Sequence, residues 1–186
     1  MAPGLRTSGC GAPAHAYPEA SMSNALVALH PADGEAIVAH LLRLSPDDRS
    51  MRFAAGLVAD ETIRRYVAGI PFERDAVFGV VDDCGVLVAL AHGCVYAVQG
   101  RGRVEAAFSV DADWRRQGLA TRLMAALERF AMAMGAEALV GMCVVRNLPM
   151  RRMFEQIGMD MTREDDEMHA KRRLRSAQPA AEAALI

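Results

Sequence analysis

Apolar positions switch repeatedly between strand-like and helical spacing along this chain, and each switch marks a new kind of element. Ala25 to Leu29 is a short apolar run that reads as a strand. Pro31-Ala32-Asp33-Gly34 interrupts it, and Ile37, Val38, Leu41 and Leu42 then recur at helical spacing over Glu35 to Leu44. Ser45-Pro46-Asp47-Asp48 closes that helix and is placed to cap a further turn over Arg49 to Phe53. Asp60 stands as the N-cap of a third helix with Ile63, Tyr66 and Val67 on one face.

From Ala76 the spacing becomes that of strands. Ala76 to Val81 is a strand, and Asp82-Asp83-Cys84-Gly85 is a hairpin turn. Val86 to Val98 is a long second strand, with Gly93 as its candidate bulge. A turn at Gln99 to Gly102 leads into Arg103 to Val110, completing an antiparallel meander. Helical spacing returns over residues 118–134, with Leu119, Leu123, Leu127, Phe130 and Met134 on one stripe and Gly135 as terminator. Ala138 to Val145 is almost continuously apolar, as a strand covered on both faces would be. A helix joins it to the preceding strand, so the two are expected to run parallel. Asn147 to Ile157 forms the last helix, with Pro149 in its first turn and Gly158 at its end. Asp160 to Arg163 and Met168 to Leu174 make a closing hairpin.

Composition narrows this picture. The chain has 186 residues, enough for one domain with a real core. The expected organisation is a flexible Pro/Gly/Ala/Ser leader over 1–23, a single domain over 24–175 and a loose Ala-rich tail over 176–186. A net charge of -2 gives no case for nucleic-acid binding. No apolar run approaches the roughly 18 residues of a membrane span, so no membrane partner is expected. Cys10, Cys84, Cys94 and Cys143 lack metal-ligand or redox spacing and read as free thiols in a reducing cytoplasm. No metal is expected. His92 and Cys94 share a strand face as structural residues, and His169 with Lys171-Arg172-Arg173 reads as a solvated edge-strand run.

The chemistry concentrates in Val104 to Thr121, VEAAFSVDADWRRQGLAT. A strand feeding a small-residue turn at a helix N-terminus aims unpaired backbone N–H groups at one point, a seat for phosphate or pyrophosphate. Gly118 permits close backbone approach, Ala120 keeps the next position small, and Arg115 and Arg116 supply charge. The spacing lacks the G-x-G-x-x-G of a dinucleotide fold and the Lys-Ser/Thr of a P-loop.

In its context of strand, DADWRRQGLA, long helix, buried strand and NLPMRRMFEQIGM, this turn resembles the GNAT superfamily of acyl-CoA-dependent N-acyltransferases. The resemblance covers about Leu26 to Leu174. It implies an α/β (α+β) fold, a mixed, mostly antiparallel sheet with helices on both faces, and acetyl-CoA as acyl donor. It places the coenzyme's pyrophosphate on Arg115, Arg116, Gln117, Gly118, Leu119, Ala120 and Thr121. The pantetheine arm would lie along Ser109 and Val110, and along Asn147, Met150 and Phe154 of the last helix. The phrase LSPDDRSMRF, Leu44 to Phe53, looks like a segment of Pat-like protein acetyltransferase domains. The resemblance implies a primary amine as acceptor, either a protein lysine or a small amine, and a homodimer is left open.

Amine acetylation requires a base for the attacking ammonium and a proton for the departing thiolate. Glu105 is the candidate base, on the strand face it shares with Ala107 and Ser109. An ordinary carboxylate, with a pKa of about 4, is a weak base for an ammonium of about 10, so burial or a water relay is needed. Phe154 stands where many members of the superfamily place a tyrosine, and a phenyl ring donates no proton. Tyr96, Cys143 or water could act instead. The missing hydroxyl also permits a non-catalytic acyl-CoA sensor as the alternative.

Overall fold

A computed structural model of the chain describes residues 24–174. The expected leader and tail, together with Cys10, lie outside the described residues. Seven strands, β1 (Ala25–Ala28), β2 (Ala76–Val81), β3 (Leu87–Val98), β4 (Arg101–Val110), β5 (Ala138–Val144), β6 (Asp160–Glu164) and β7 (Glu167–Arg173), form one sheet. The helices are α1 (Gly34–Arg43), α2 (Pro46–Phe53), α3 (Asp60–Ala68), α4 (Leu119–Ala133) and α5 (Leu148–Gln156). The sheet order is β1-β2-β3-β4-β5-β7-β6, antiparallel throughout except for the parallel pair β4–β5. This is the mixed, mostly antiparallel α/β architecture expected from the sequence.

Each face of the sheet buries its own apolar layer. On one face Ile37 and Leu41 of α1 and Ile63 and Val67 of α3 pack on Val77, Leu87 and Leu90. On the other, Leu123 and Leu127 of α4 and Phe154 of α5 pack on Val88, Val104, Ala106 and Leu139. Burial of such side chains stabilises by about 1.5–3 kcal/mol each.

The turns follow from local chemistry. Asp82 Oδ1 accepts from the N–H groups of Cys84 and Val86, and Gly85 adopts φ 75°. Gln99 and Gly100 both take positive φ, 52° and 76°, in a two-residue turn that pairs Val98 with Arg101. The hairpin is therefore tighter than the four-residue turn read from the sequence.

Three local expectations change. Ala59, not Asp60, is the N-cap of α3, and Asp60 sits in its first turn. Gly93 is not a bulge, because the β3–β4 register runs unbroken through it and it pairs with Ala76 of β2. A Cβ there would lie 2.6 Å from Leu127 Cδ2, so glycine lets α4 approach the sheet. The bulge lies at Val88 instead, where Val80 pairs Ala89 and Val81 pairs Leu87; the extra residue puts Leu87 on the face of Leu90. Finally β7 lies between β5 and β6, so His169 and Lys171 are paired on both sides, while Arg172 and Arg173 run past the end of β6 and keep an open edge.

Cys94 and Cys143 are free thiols. Cys84 is disulfide-bonded, so the expectation of a free thiol there is corrected and cysteine usage no longer argues for a reducing compartment. Among the described residues no helix is long and apolar enough to cross a membrane.

Candidate active site

The parallel pairing of β4 with β5 runs from Arg103↔Ala138 to Ala106↔Gly141 and stops there. Beyond it β4 continues with β3 as far as Val110, while β5 continues with β7 as far as Val144. The sheet thus opens into a wedge, and backbone groups on the facing edges lose their strand partners. Gly141 marks the vertex: a Cβ there would fall 2.7 Å from the ring of Phe154, which fills the space beneath.

A cavity of about 820 Å³ occupies the opening. Its β4 wall is Ala107 to Val110, its β5 wall Met142 and Cys143, and its floor includes Asn147, Met150 and Met153 of α5. Leu44 and, from α2, Asp48, Met51 and Arg52 close it on the opposite side. Trp114, Arg115, Arg116 and Gly118 to Thr121 form the mouth at the start of α4. Asn147 caps α5 by accepting from the Met150 N–H, which fixes both residues at the floor.

The mouth has the features of an anion seat. Gly118, at φ 74°, is the N-cap of the fifteen-residue helix α4 and contributes no side-chain cap. The first N–H groups of α4 have no intrahelical acceptor and carry the positive end of the helix dipole. Arg116 is exposed and makes no hydrogen bond or ion pair with another described residue. Arg115 is differently employed: its Nη2 pairs with Asp48 Oδ1 at 2.8 Å and its Nε donates to the Val110 carbonyl. Burial opposes ionisation of Asp48, but Ser45 and Arg115 outweigh it and hold its pKa below the ordinary carboxylate value.

Of the residues singled out from sequence, Ser109, Val110, Arg115, Arg116, Gly118, Leu119, Ala120, Thr121, Asn147 and Met150 line the cavity. Gln117, Glu105 and Phe154 do not. Gln117 is exposed and donates to the Asp113 carbonyl at 3.4 Å. Phe154 is fully buried in the core. Glu105 is half-buried on β4, opposite Cys94 of β3 and Val140 of β5, two residues from the cavity wall at Ala107.

Two polar networks on the α1/α3 side of the sheet were not anticipated. In the first, Arg52 Nη2 donates to the Tyr66 hydroxyl at 2.8 Å, which lies 2.7 Å from His92 Nδ1. His92 Nε2 is 3.1 Å from Asp75 Oδ2, and Asp75 Oδ1 accepts from the Val95 N–H. Burial pushes the His92 pKa down, against the pull of Asp75. In the second, His40 Nε2 lies 2.8 Å from Ser109 Oγ, and His40 Nδ1 lies 3.0 Å from Asp111 Oδ1. Arg43 holds the other oxygen of Asp111 at 2.9 Å. Burial opposes ionisation of Asp111, but His40 and Arg43 together outweigh it and depress its pKa. The sequence signal for His40 is its place on the apolar stripe of α1, one helical turn after Ile37; nothing in spacing ties it to Ser109, 69 residues away.

Comparisons with known proteins agree with this architecture. Residues 33–159 match the model of the acetyltransferase (GNAT) family, and the chain belongs to that family. Among curated proteins none matches this sequence. Among solved structures, the GNAT domain of S. lividans PAT aligns over 86% of this chain and 100% of its own, with a TM-score of 0.69 and 17% identity. A phosphinothricin acetyltransferase from Sinorhizobium meliloti, in complex with acetyl-CoA, aligns over 82% and 89%, with a TM-score of 0.66 and 15% identity. NAA60 from Arabidopsis thaliana, in complex with a bisubstrate analogue, aligns over 83% and 100%, with a TM-score of 0.61 and 13% identity.

Proposed function

We propose that this protein transfers the acetyl group of acetyl-CoA to a primary amine by direct attack in a ternary complex. The observation that carries this reading is the cavity in the β4–β5 opening, continuous with the N-terminus of α4. A pyrophosphate seated on the first N–H groups of α4, beside Arg116, directs a pantetheine arm into the opening. There the arm can pair with the Val110 N–H, which faces the opening, pass beside Ser109, and pack on Met150 and Met153. The acetyl-CoA bound in the S. meliloti enzyme supports the same donor here.

Glu105 is the proposed base. It makes no hydrogen bond or ion pair with another described residue, so its carboxylate is not committed elsewhere. Its distance from the cavity wall favours a water relay through Ala107, whose small side chain leaves room. For the leaving thiolate, Tyr96 does not line the cavity, whereas Cys143 does. Burial, against the pull of Arg151, pushes the Cys143 thiol above its ordinary pKa. It therefore stays protonated but is a weaker acid than an ordinary thiol, so it can offer a hydrogen bond while water returns the proton.

The acceptor is a protein lysine or a small amine. The segment resembling Pat-like domains is α2, which reaches the cavity through Asp48, Met51 and Arg52 and supports a role in shaping the acceptor side. A panel of lysine peptides and small amines, with thiol release as readout, identifies the acceptor. With the best amine, Glu105→Gln is expected to lower kcat about 10²- to 10⁴-fold at neutral pH while acetyl-CoA binding persists. Full turnover by that variant would contradict the assignment of the base.

A further inference from the structure

The second polar network has the connectivity of a nucleophilic triad. Ser109 borders the cavity and is 8% exposed; its hydroxyl meets the Nε2 of a fully buried histidine, and the Nδ1 of that histidine faces a carboxylate. His40 Nδ1 and Asp111 Oδ1 have no other partner, and at 3.0 Å their contact is not a well-aligned hydrogen bond. Loose contacts of this kind are common in unliganded catalytic sites. Three elements build the arrangement. Helix α1 brings His40, β4 brings Ser109, and the residue after β4 brings Asp111, held by Arg43 from the next turn of α1. With Asp111 ionised, Nδ1 carries the proton and Nε2 is free to accept from the serine, the tautomer that activates a hydroxyl.

We propose that Ser109, His40 and Asp111 form a serine-nucleophile site that hydrolyses acyl-CoA thioesters when no amine acceptor is bound. The proposal rests on the reading of the cavity as an acyl-CoA site. Ser109 Oγ attacks the thioester carbonyl carbon as its proton passes to His40 Nε2. The tetrahedral intermediate collapses by breaking the carbon–sulfur bond, and the departing thiolate takes the proton from His40. Water then attacks the acyl-Ser109 ester, giving its proton to His40, and collapse returns that proton to Ser109 Oγ with release of the carboxylate. The sum is acyl-CoA and water to carboxylic acid and CoA, with no other reactant. N–H groups on the β4 edge that β5 leaves beyond Ala106 are the donors available to the oxyanion. Asp111 orients His40 without itself taking the proton.

The test incubates the full chain with acetyl-CoA and no amine, following thiol release and the intact mass after acid quench. Expected are slow thiol release and one acetyl group on the Ser109 peptide, both falling at least about tenfold in Ser109→Ala and His40→Gln. Equal thiol release by wild type and Ser109→Ala, with no acetyl group on Ser109, would overturn the proposal. A thermal shift with CoA, measured in parallel, separates this outcome from failure of the acyl-CoA reading. If CoA gives no shift, p-nitrophenyl acetate probes the triad alone. Nitrophenol release that depends on both Ser109 and His40 supports it; release independent of them, or none, overturns it. Should Ser109→Ala fail to fold, the acetyl adduct on wild-type Ser109 decides: its presence supports the site and its absence overturns it.

Discussion

A single residue, Gly118, shapes the mouth of the cavity. Gly118 holds φ 74° with nothing within 4 Å of the position a Cβ would take, so a substitution there meets conformational cost and not a clash. Gly118→Ala should destabilise the fold by about 1 kcal/mol, measurable by urea unfolding. An unchanged midpoint would mean that the turn relaxes freely. His92 provides a pH signature. Burial depresses its folded pKa below the ordinary histidine value of about 6.5, with Asp75 opposing and Arg52 and Arg74 adding to the depression. As pH falls below that value the unfolded chain binds a proton first, so stability is lost on acidification. Between about pH 7.5 and about pH 5.5 the wild type should lose more thermal stability than His92→Gln, whose amide can bond both Asp75 and Tyr66. Parallel curves for the two proteins would show that His92 is not buried in neutral form.

Elements decide where the sheet opens. Gly141 and Gly93 let α5 and α4 close on the strands, with prospective Cβ contacts of 2.7 Å to Phe154 and 2.6 Å to Leu127. Gly141→Ala should cost about 1–3 kcal/mol in chemical denaturation, and Phe154→Leu in the same chain should restore part of it. Additive losses would place the strain elsewhere. Strand β2 was legible to the residue because its apolar run ends at the Asp82 turn. The Gly93 bulge was misread because glycine in a strand marks either a bulge or a close approach, and only packing tells them apart. The edge reading of the basic run held only for Arg172 and Arg173, because local charge says nothing about which hairpin strand adds to β5 or how far its neighbour reaches. At the site, the turn before α4 was readable because its residues are contiguous. The partnerships of Ser109 with His40 and of Tyr66 with His92 join distant segments, and no spacing rule reaches them.

At the scale of the whole molecule, one opening organises the rest. The sheet divides after Ala106 and Gly141, and helices from both faces reach the gap: α2 from one side, α5 and the N-terminus of α4 from the other. Membership of the acetyltransferase (GNAT) family agrees with that topology, and the proposed acyl-CoA chemistry depends on the gap being the binding site. Trp114, the single tryptophan of the chain, lines its mouth and reports on occupancy directly. Titration of the protein with acetyl-CoA, followed by Trp114 fluorescence, should give a saturable change, and Gly118→Asp should abolish it by setting a carboxylate against the pyrophosphate. No saturable change in the wild type, or an equal one in Gly118→Asp, would contradict the account.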